Sequence, residues 1–247
     1  MTTTTWNPSD LSGITLSAFT LAGANIANVV AIATAQGGVR AVTGSTIGKY
    51  YFEYQLQTFS SGNTGIGIVN ASAALTNVGP VPTNACFVYP SGTVWLNNVS
   101  SSRTIGAISS GSIVGVALDL NTNQIWMRIC PSGNWFNVAT NNPATNVGGL
   151  SITSITGGNI FPAFGSGVSG EKVTANFGDT GAFFGAVPSG FIAGYPVAGV
   201  PPPTSGLLTQ IATEEWAINN PQGLMTQIAI EQWASVAGSA SFSARHV

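Results

Sequence analysis

Side chains that could act as acids, bases, nucleophiles or metal ligands are scarce in this sequence. The chain has 247 residues and one histidine, His246. A Ser-His-Asp or Cys-His arrangement needs a histidine held inside a folded site, and a zinc site needs several His or Cys ligands. The sequence therefore predicts no catalytic triad and no metal site, and it gives no reason to expect a cofactor.

Carboxylates are the remaining candidates for catalysis. Hydrolysis of a glycoside would need two of them facing each other across a cleft. Local roles explain them more simply: Asp119 caps a turn, Glu53 faces solvent or Lys49, and Asp179 follows the last core strand. The candidates are Asp10, Glu53, Asp119, Glu171 and Asp179. We therefore expect a protein that is not an enzyme.

Aromatic residues beside polar loops form a second kind of candidate site. Tyr89, Trp95 and Trp135 border segments rich in Gly, Pro, Ser and Asn. An aromatic ring can stack on the C–H face of a sugar while neighbouring amides bond its hydroxyls. The predicted ligand-binding set is Tyr89, Trp95, Asn97, Asn98, Arg103, Asn134 and Trp135. The alternative is that these loops contact neighbouring subunits, or nothing.

Charge is low throughout the chain. Charged residues make up 6% of the sequence and the net charge is −2, against roughly 25% charged residues in an average soluble domain. Such a surface does not attract nucleic acid or an anionic membrane. It also gives little protection against self-association. We therefore expect a homo-oligomer inside a larger assembly.

The lack of a targeting or membrane-spanning pattern favours a soluble protein made in the cytoplasm, while the two cysteines indicate no compartment. No Lys or Arg precedes the first apolar region, so a secretory signal is not expected. Residues 11–39 carry no charge, but Asn, Ser and Thr interrupt them too often for a membrane-spanning helix. Cys86 and Cys130 could pair, although buried free thiols are the more frequent state of two such cysteines.

Strand patterns separated by turns every 8–12 residues predict an all-β fold. The clearest is a hairpin in which residues 113–118 and 124–129 flank a turn at 119–123, rich in residues that tolerate left-handed backbone. Trp126 in this hairpin is expected in the core. Further strands are predicted at 26–35, 48–56, 65–69, 85–89, 93–96, 161–164 and 172–177.

Several of these strands carry motifs in a recognisable order. The motifs are GKYYFEYQL (48–56), GIGIV (65–69), GSIVGVALDLNTNQIWM (111–127), NPATNVGG (142–149), IFPAFGSG (160–167) and VTANFG (173–178). This ordered set resembles the SPRY (B30.2-like) domain, in the version found in bacteriophage and prophage proteins, over residues 6–195. The resemblance implies a bent β-sandwich of two antiparallel sheets, with binding loops at one end and no catalytic chemistry.

The segment after the predicted sandwich contains a duplication. Residues 196–205 include three consecutive prolines, typical of a semi-rigid linker. Residues 206–217 and 223–234 then match at nine of twelve positions with a period of 17. These repeats, which fit either a helix or a strand, resemble segments at the ends of phage structural proteins. The predicted docking residues are Leu208, Ile211, Trp216, Met225, Ile228 and Trp233.

These features together predict a structural protein of a phage particle, made in the host cytoplasm. The domains expected are a sandwich at 1–195, a linker at 196–205 and a docking tail at 206–247. The sandwich would bind a host-surface glycan or protein from a fibre, spike or decoration layer on the head or the tail. The repeats would attach the chain to other virion proteins. The alternatives are a purely architectural decoration or cement protein and, third, a free carbohydrate-binding protein.

Overall fold

The computed structural model describes residues 4–20, 27–178 and 182–195. Their regular secondary structure is nearly all β, as the sequence predicts. The strands are β1 (Trp6–Thr20), β2 (Ala27–Ala41), β3 (Lys49–Thr58), β4 (Gly65–Asn70), β5 (Ala85–Val88), β6 (Thr93–Leu96), β7 (Val99–Thr104), β8 (Ile113–Asp119), β9 (Gln124–Ile129), β10 (Leu150–Ser151), β11 (Ile160–Ser166), β12 (Lys172–Asn176) and β13 (Ile192–Ala193). Short 3₁₀ helices lie at Trp135–Asn137, Pro143–Thr145 and Thr153–Ile155.

The strands form two layers that remain linked by hydrogen bonds. One layer has the order β10-β9-β8-β3-β12 and the other the order β11-β4-β5-β6-β7. Strand β2 joins them, because residues 30–32 pair with β12 and residues 37–40 pair with β11. All the strand pairs are antiparallel except β13 with β3. The expected sandwich of antiparallel layers is thus confirmed, with β2 belonging to both layers.

A bulge in β2 lies between its two pairing partners. Ser12 of β1 pairs with Gly38, yet Ile14 pairs with Ala33, so the four residues 34–37 of β2 lie opposite the single residue Gly13 of β1. A β-bulge bends the strand that carries it. A side chain at Gly37 would collide with the Ser12 carbonyl oxygen, so this close approach requires glycine. The bend therefore separates the part of β2 that pairs with β12 from the part that pairs with β11.

The predicted hairpin forms as β8 and β9, paired from Val114 with Ile129 to Asp119 with Gln124. Oδ1 of Asp119 accepts the backbone N–H groups of Asn121 and Thr122 at 2.9 and 3.2 Å, which confirms its role in the turn. Its Oδ2 lies 2.9 Å from Nζ of Lys49. Trp126 is fully buried, as expected of a core residue.

Glu53 does not face solvent or Lys49, and that prediction is wrong. Its side chain is buried, and Oε1 accepts the Tyr51 hydroxyl at 2.6 Å and the Gly185 N–H at 2.7 Å. Oε2 accepts the Phe184 N–H at 2.9 Å. The carboxylate thus holds a distant segment against β3, a contact that the alternation of β3 does not reveal.

The core between the layers contains a polar bridge. The Tyr54 hydroxyl, on β3, donates to the Gly67 carbonyl on β4 and accepts the Ala163 N–H on β11 at 3.0 Å. Phe52, Phe164 and Phe177 belong to the same core and are all buried. Because buried polar groups are costly when unpaired, the hydroxyl favours this alignment of β3 against the opposite layer.

Cys86 and Cys130 are free and buried, in agreement with the more frequent state of such cysteines. Four strands were not predicted from the sequence, namely β1, β7, β10 and β13. Within the described ranges, no helix has the length and apolar character needed to cross a membrane. Asp179, the linker at 196–205 and the docking residues of the tail lie outside the described residues.

Candidate ligand groove

A second, smaller apolar cluster lies on the face of β4 and β5 that points away from the main core. Residues alternate along these strands, so Ile68 and Val88 belong to the main core while Val69 and Phe87 belong to the second cluster. The β4–β5 loop, residues 71–84, covers this face. Its contributions are Ala73, Leu75 and Val78.

A groove of about 280 Å³ opens beside this cluster. It is slightly smaller than the roughly 300–1,000 Å³ pockets that hold drug-sized ligands. Its lining residues are Gly62, Asn63, Pro80, Pro82, Tyr89, Ser91 and Trp95. No lining residue carries a charge at neutral pH, so the groove suits a small neutral ligand.

Trp95 and Tyr89 form the aromatic part of the groove. Their ring centroids lie 6.3 Å apart at an interplanar angle of 76°. Tyr89 is buried and its hydroxyl donates to the Gly79 carbonyl at 2.6 Å. Burial also raises the pKa of this hydroxyl, so it stays protonated at neutral pH. Tyr89 therefore holds the β4–β5 loop through Gly79. Trp95 is half-buried and is the more accessible of the two rings.

A buried carboxylate positions the loop that carries Gly62 and Asn63. Glu171 accepts the backbone N–H groups of Ser60 and Ser61 at 3.0 and 3.1 Å. It also accepts the Ser60 hydroxyl at 2.9 Å. The Asn63 carbonyl, in turn, accepts the Gly167 N–H at 2.9 Å. This side of the groove is therefore held by contacts to residues more than 100 positions away in sequence.

The β6–β7 turn holds the opposite side of the groove. Oδ1 of Asn97 accepts the Asn84 N–H at 3.0 Å, and the Asn98 N–H donates to the Pro82 carbonyl at 3.2 Å. Both turn residues have left-handed backbone, with φ of 49° and 64°, a conformation that Asn tolerates well. Asn97 and Asn98 were predicted as donors to a ligand. In the structure they fix the turn and the loop next to Trp95.

The rest of the predicted ligand-binding set forms a separate group. The Arg103 guanidinium lies 5.7 Å from the ring centroid of Phe136. Trp135 is 8% exposed and lies beneath Arg128, whose guanidinium carbon is 4.4 Å from its ring centroid. Asn134 is exposed, and its side chain caps none of the backbone of the 3₁₀ turn that follows. Trp135 therefore packs as an interior residue and offers no open ring face.

Sequence reasoning missed five of the groove's lining residues: Gly62, Asn63, Pro80, Pro82 and Ser91. Asn63 lies in a Gly-Asn-Thr-Gly turn, and Pro80 and Pro82 lie in a loop without strand periodicity. These are ordinary turn signals. What makes them a site is the packing of that loop onto β5 and β6, which local sequence does not encode.

The described carboxylates each have their own local partners. Asp10 pairs with Arg40 at 2.6 Å, Asp119 caps its turn, and Glu53 and Glu171 accept backbone N–H groups. Among residues 4–20, 27–178 and 182–195, no group of three or more His, Cys, Asp or Glu side chains could hold a metal ion. The contacts of these four carboxylates hold turns, loops and strands in place.

The family model described as the SPRY domain matches residues 49–180, from β3 to just beyond β12. The chain belongs to the SPRY domain family. SPRY domains are protein–protein binding modules. The matched residues include every residue that lines the groove.

Solved structures of SPRY domains are similar to this chain. The SPRY domain of human HERC1 is 15% identical, with a TM-score of 0.49, covering 70% of this chain and 97% of that one. The TRIM65 PSpry domain is 13% identical, with a TM-score of 0.46 and coverages of 70% and 92%. A human SPRY domain is 14% identical, with a TM-score of 0.44 and coverages of 68% and 97%. No curated protein matches the sequence at a significant level.

Proposed function

We propose that this SPRY protein is a structural component of a bacteriophage particle that binds a neutral host-surface glycan in the groove beside Trp95. The main support for this proposal is the groove, which combines a half-buried tryptophan with polar but uncharged neighbours. The protein would belong to a fibre, spike or decoration layer, on the head or the tail of the particle. The protein would be made in the host cytoplasm and function in the virion.

The chemistry of the groove favours a sugar over a charged ligand. Trp95 supplies a ring on which the C–H face of a pyranose can stack. Asn63 and Ser91 supply an amide and a hydroxyl, which can both donate to and accept from sugar hydroxyls. A carboxylate or phosphate would find no cationic partner among the lining residues and would lose its hydration without compensation.

The virion role is supported by composition and by the tail. A surface with 6% charged residues is suited to an assembly, where neighbours cover much of it. The duplicated segments at 206–217 and 223–234 would dock onto other virion proteins, with Trp216 and Trp233 as anchors. Two copies on one linker raise the effective concentration of the second contact. The domain boundaries 1–195, 196–205 and 206–247 belong to this proposal.

The proposal includes no catalytic activity, no cofactor, no nucleic acid and no insertion into a membrane. A second candidate role is architectural, in which the same chain decorates or cements a capsid or tail without a host ligand. The low charge and the docking repeats support that role equally well. A host-surface protein is the alternative occupant of the groove, since SPRY domains are protein–protein binding modules.

Binding to host cells separates these roles. Purified full-length protein, labelled with a fluorophore, is incubated with host cells at micromolar concentration, with and without soluble envelope polysaccharide. The proposal predicts saturable binding that neutral polysaccharide competes away. Binding that only protease treatment of the cells abolishes would identify a protein ligand. Absence of binding would leave the architectural role.

A further inference from the structure

Strand β1 is an edge strand in the described part of the chain. It pairs with β2 at Trp6, at 11–12 and at 14–20, and with no other described strand. From Ile14 to Thr20 this pairing runs through seven consecutive residues without a register shift. Thr15 and Ser17 are exposed on this stretch, whereas Ile14 is buried. The outer side of the regular half of β1 thus has a row of backbone donors and acceptors with no strand partner among the described residues.

Other strand edges carry features that block pairing with another chain. Strand β10 has two residues. Strand β7 contains Ser102 with left-handed backbone, a register shift against β6, and the cationic Arg103. The first half of β1 has Pro8, Asp10 and two register shifts. The stretch Ile14–Thr20 has no proline, no charge and no shift, so none of these devices protects it.

The end of this hairpin has only two strands. Strand β12 accompanies β2 over residues 30–32, opposite Thr15 to Ser17 of β1. Beyond that point, residues 18–20 and 27–29 pair only with each other among the described residues. Two-stranded ribbons are marginally stable in water, and a third strand is generally needed. The hairpin therefore gains stability from any strand that joins it.

We propose that the edge Ile14–Thr20 pairs with the same edge of a second copy of this chain, antiparallel about a two-fold axis. Residues 11–39 contain no charged side chain, so the edge of one copy does not repel the same edge of a second copy. A different protein with a charged strand would find no opposite charge on this edge. A two-fold contact places the same edge on both sides, so it needs no other protein. Each two-stranded end would then become part of a four-stranded sheet.

This contact goes beyond the proposed ligand and virion roles and does not depend on them. The test uses full-length protein in two charge variants, Thr15→Lys/Ser17→Lys and Thr15→Glu/Ser17→Glu. Both positions are exposed, and like charges across paired strands are destabilising. Val99→Lys/Ser100→Lys on the exposed strand β7 is the matched control. Mass is measured by size-exclusion chromatography with light scattering and by sedimentation velocity.

The expected result is a wild-type dimer, a control dimer, and monomers for each charge variant alone. Mixing the lysine and glutamate variants restores a heterodimer, because opposite charges then face each other. A monomeric wild type, a lysine variant that remains dimeric, or a mixture that stays monomeric would overturn the proposal. Glycan binding by the monomeric variants is expected to persist, which keeps this contact separate from the groove.

Amide hydrogen exchange on the wild type gives a reading that needs no variant. Protection of residues 14–20 rises with protein concentration if these amides pair across the dimer. Protection that does not change with concentration would contradict the proposed contact.

Discussion

Oε2 of Glu171 accepts the backbone N–H of Ser60 at 3.0 Å, across 111 positions of sequence. Oε1 accepts the Ser60 hydroxyl and the Ser61 N–H. Because Gly62 and Asn63 follow directly and line the groove, this carboxylate sets one wall of the groove. Glu171 acts on any ligand through the loop that it holds.

Replacing Glu171 with Gln is therefore expected to weaken ligand binding without removing a groove residue. An amide NH₂ would face one of the donors that the carboxylate now accepts, at a cost of about 1–3 kcal/mol in stability. We expect the dissociation constant to rise about tenfold or more, corresponding to about 1.4 kcal/mol. Asp10→Asn is the matched control, because its ion pair with Arg40 is partly exposed. Titration calorimetry that finds equal affinities for E171Q and D10N would exclude the positioning role.

Tyr54→Phe tests the polar bridge in the core. The substitution leaves the Gly67 carbonyl and the Ala163 N–H without their buried partner. We expect the free energy of unfolding to fall by about 2–4 kcal/mol. Tyr50→Phe is the control, since that hydroxyl donates to Ile47 at a part-buried position and should cost about 1 kcal/mol. Urea denaturation measures both variants, and equal losses of unfolding free energy for Tyr54→Phe and Tyr50→Phe would contradict the role assigned to the bridge.

The fold was largely predictable because the signals that define it are local. The hairpin of β8 and β9 has a continuous apolar run and a turn built from residues suited to it, and it forms as predicted. Strand β1 was missed, because Pro8, Gly13 and the polar residues around them interrupt its alternation. Glu53 was misplaced, because the segment that buries it lies about 130 positions further along the chain.

The candidate groove was predictable only in part. Tyr89 and Trp95 were identified from an aromatic ring beside a polar loop, and the structure brings them together. Trp135 has the same local signature but packs beneath Arg128. Burial of one ring and partial exposure of the other depend on which distant segments cover them. Local composition does not contain that information.

Cys86 makes stability depend on pH in the alkaline range. Complete burial raises the pKa of its thiol to about 12, from 9.0 in an unfolded chain. The unfolded state therefore loses this proton first, and stability present below about pH 9 is lost as the pH rises towards 12. Between about pH 8 and pH 10, wild type should lose about 1.4 kcal/mol more than Cys86→Ala. Urea unfolding at both pH values measures this difference, and parallel losses would contradict it.

The tail prediction concerns Trp216 and Trp233, one in each repeat. If both repeats dock at once, the double substitution Trp216→Ala/Trp233→Ala should reduce incorporation into particles far more than either single change. The reason is that a single variant keeps one intact repeat, which still holds the chain on the particle and keeps the weakened repeat close to its site. The double variant has no intact repeat left. Quantitative mass spectrometry of purified particles measures the incorporated amount. Wild-type incorporation of the double variant would exclude these anchors.

The central claim is that the groove beside Trp95 holds a neutral sugar, and a titration of full-length protein against neutral bacterial envelope oligosaccharides tests it most directly. We expect wild type to bind, and Trp95→Ala to bind about 30-fold more weakly, the loss for an anchor residue worth about 2 kcal/mol. Trp95→Phe should retain part of the affinity, and Phe184→Ala, at a 57% exposed aromatic elsewhere, should retain all of it. Equal affinity of Trp95→Ala and wild type, or binding restricted to charged oligosaccharides, would contradict the claim.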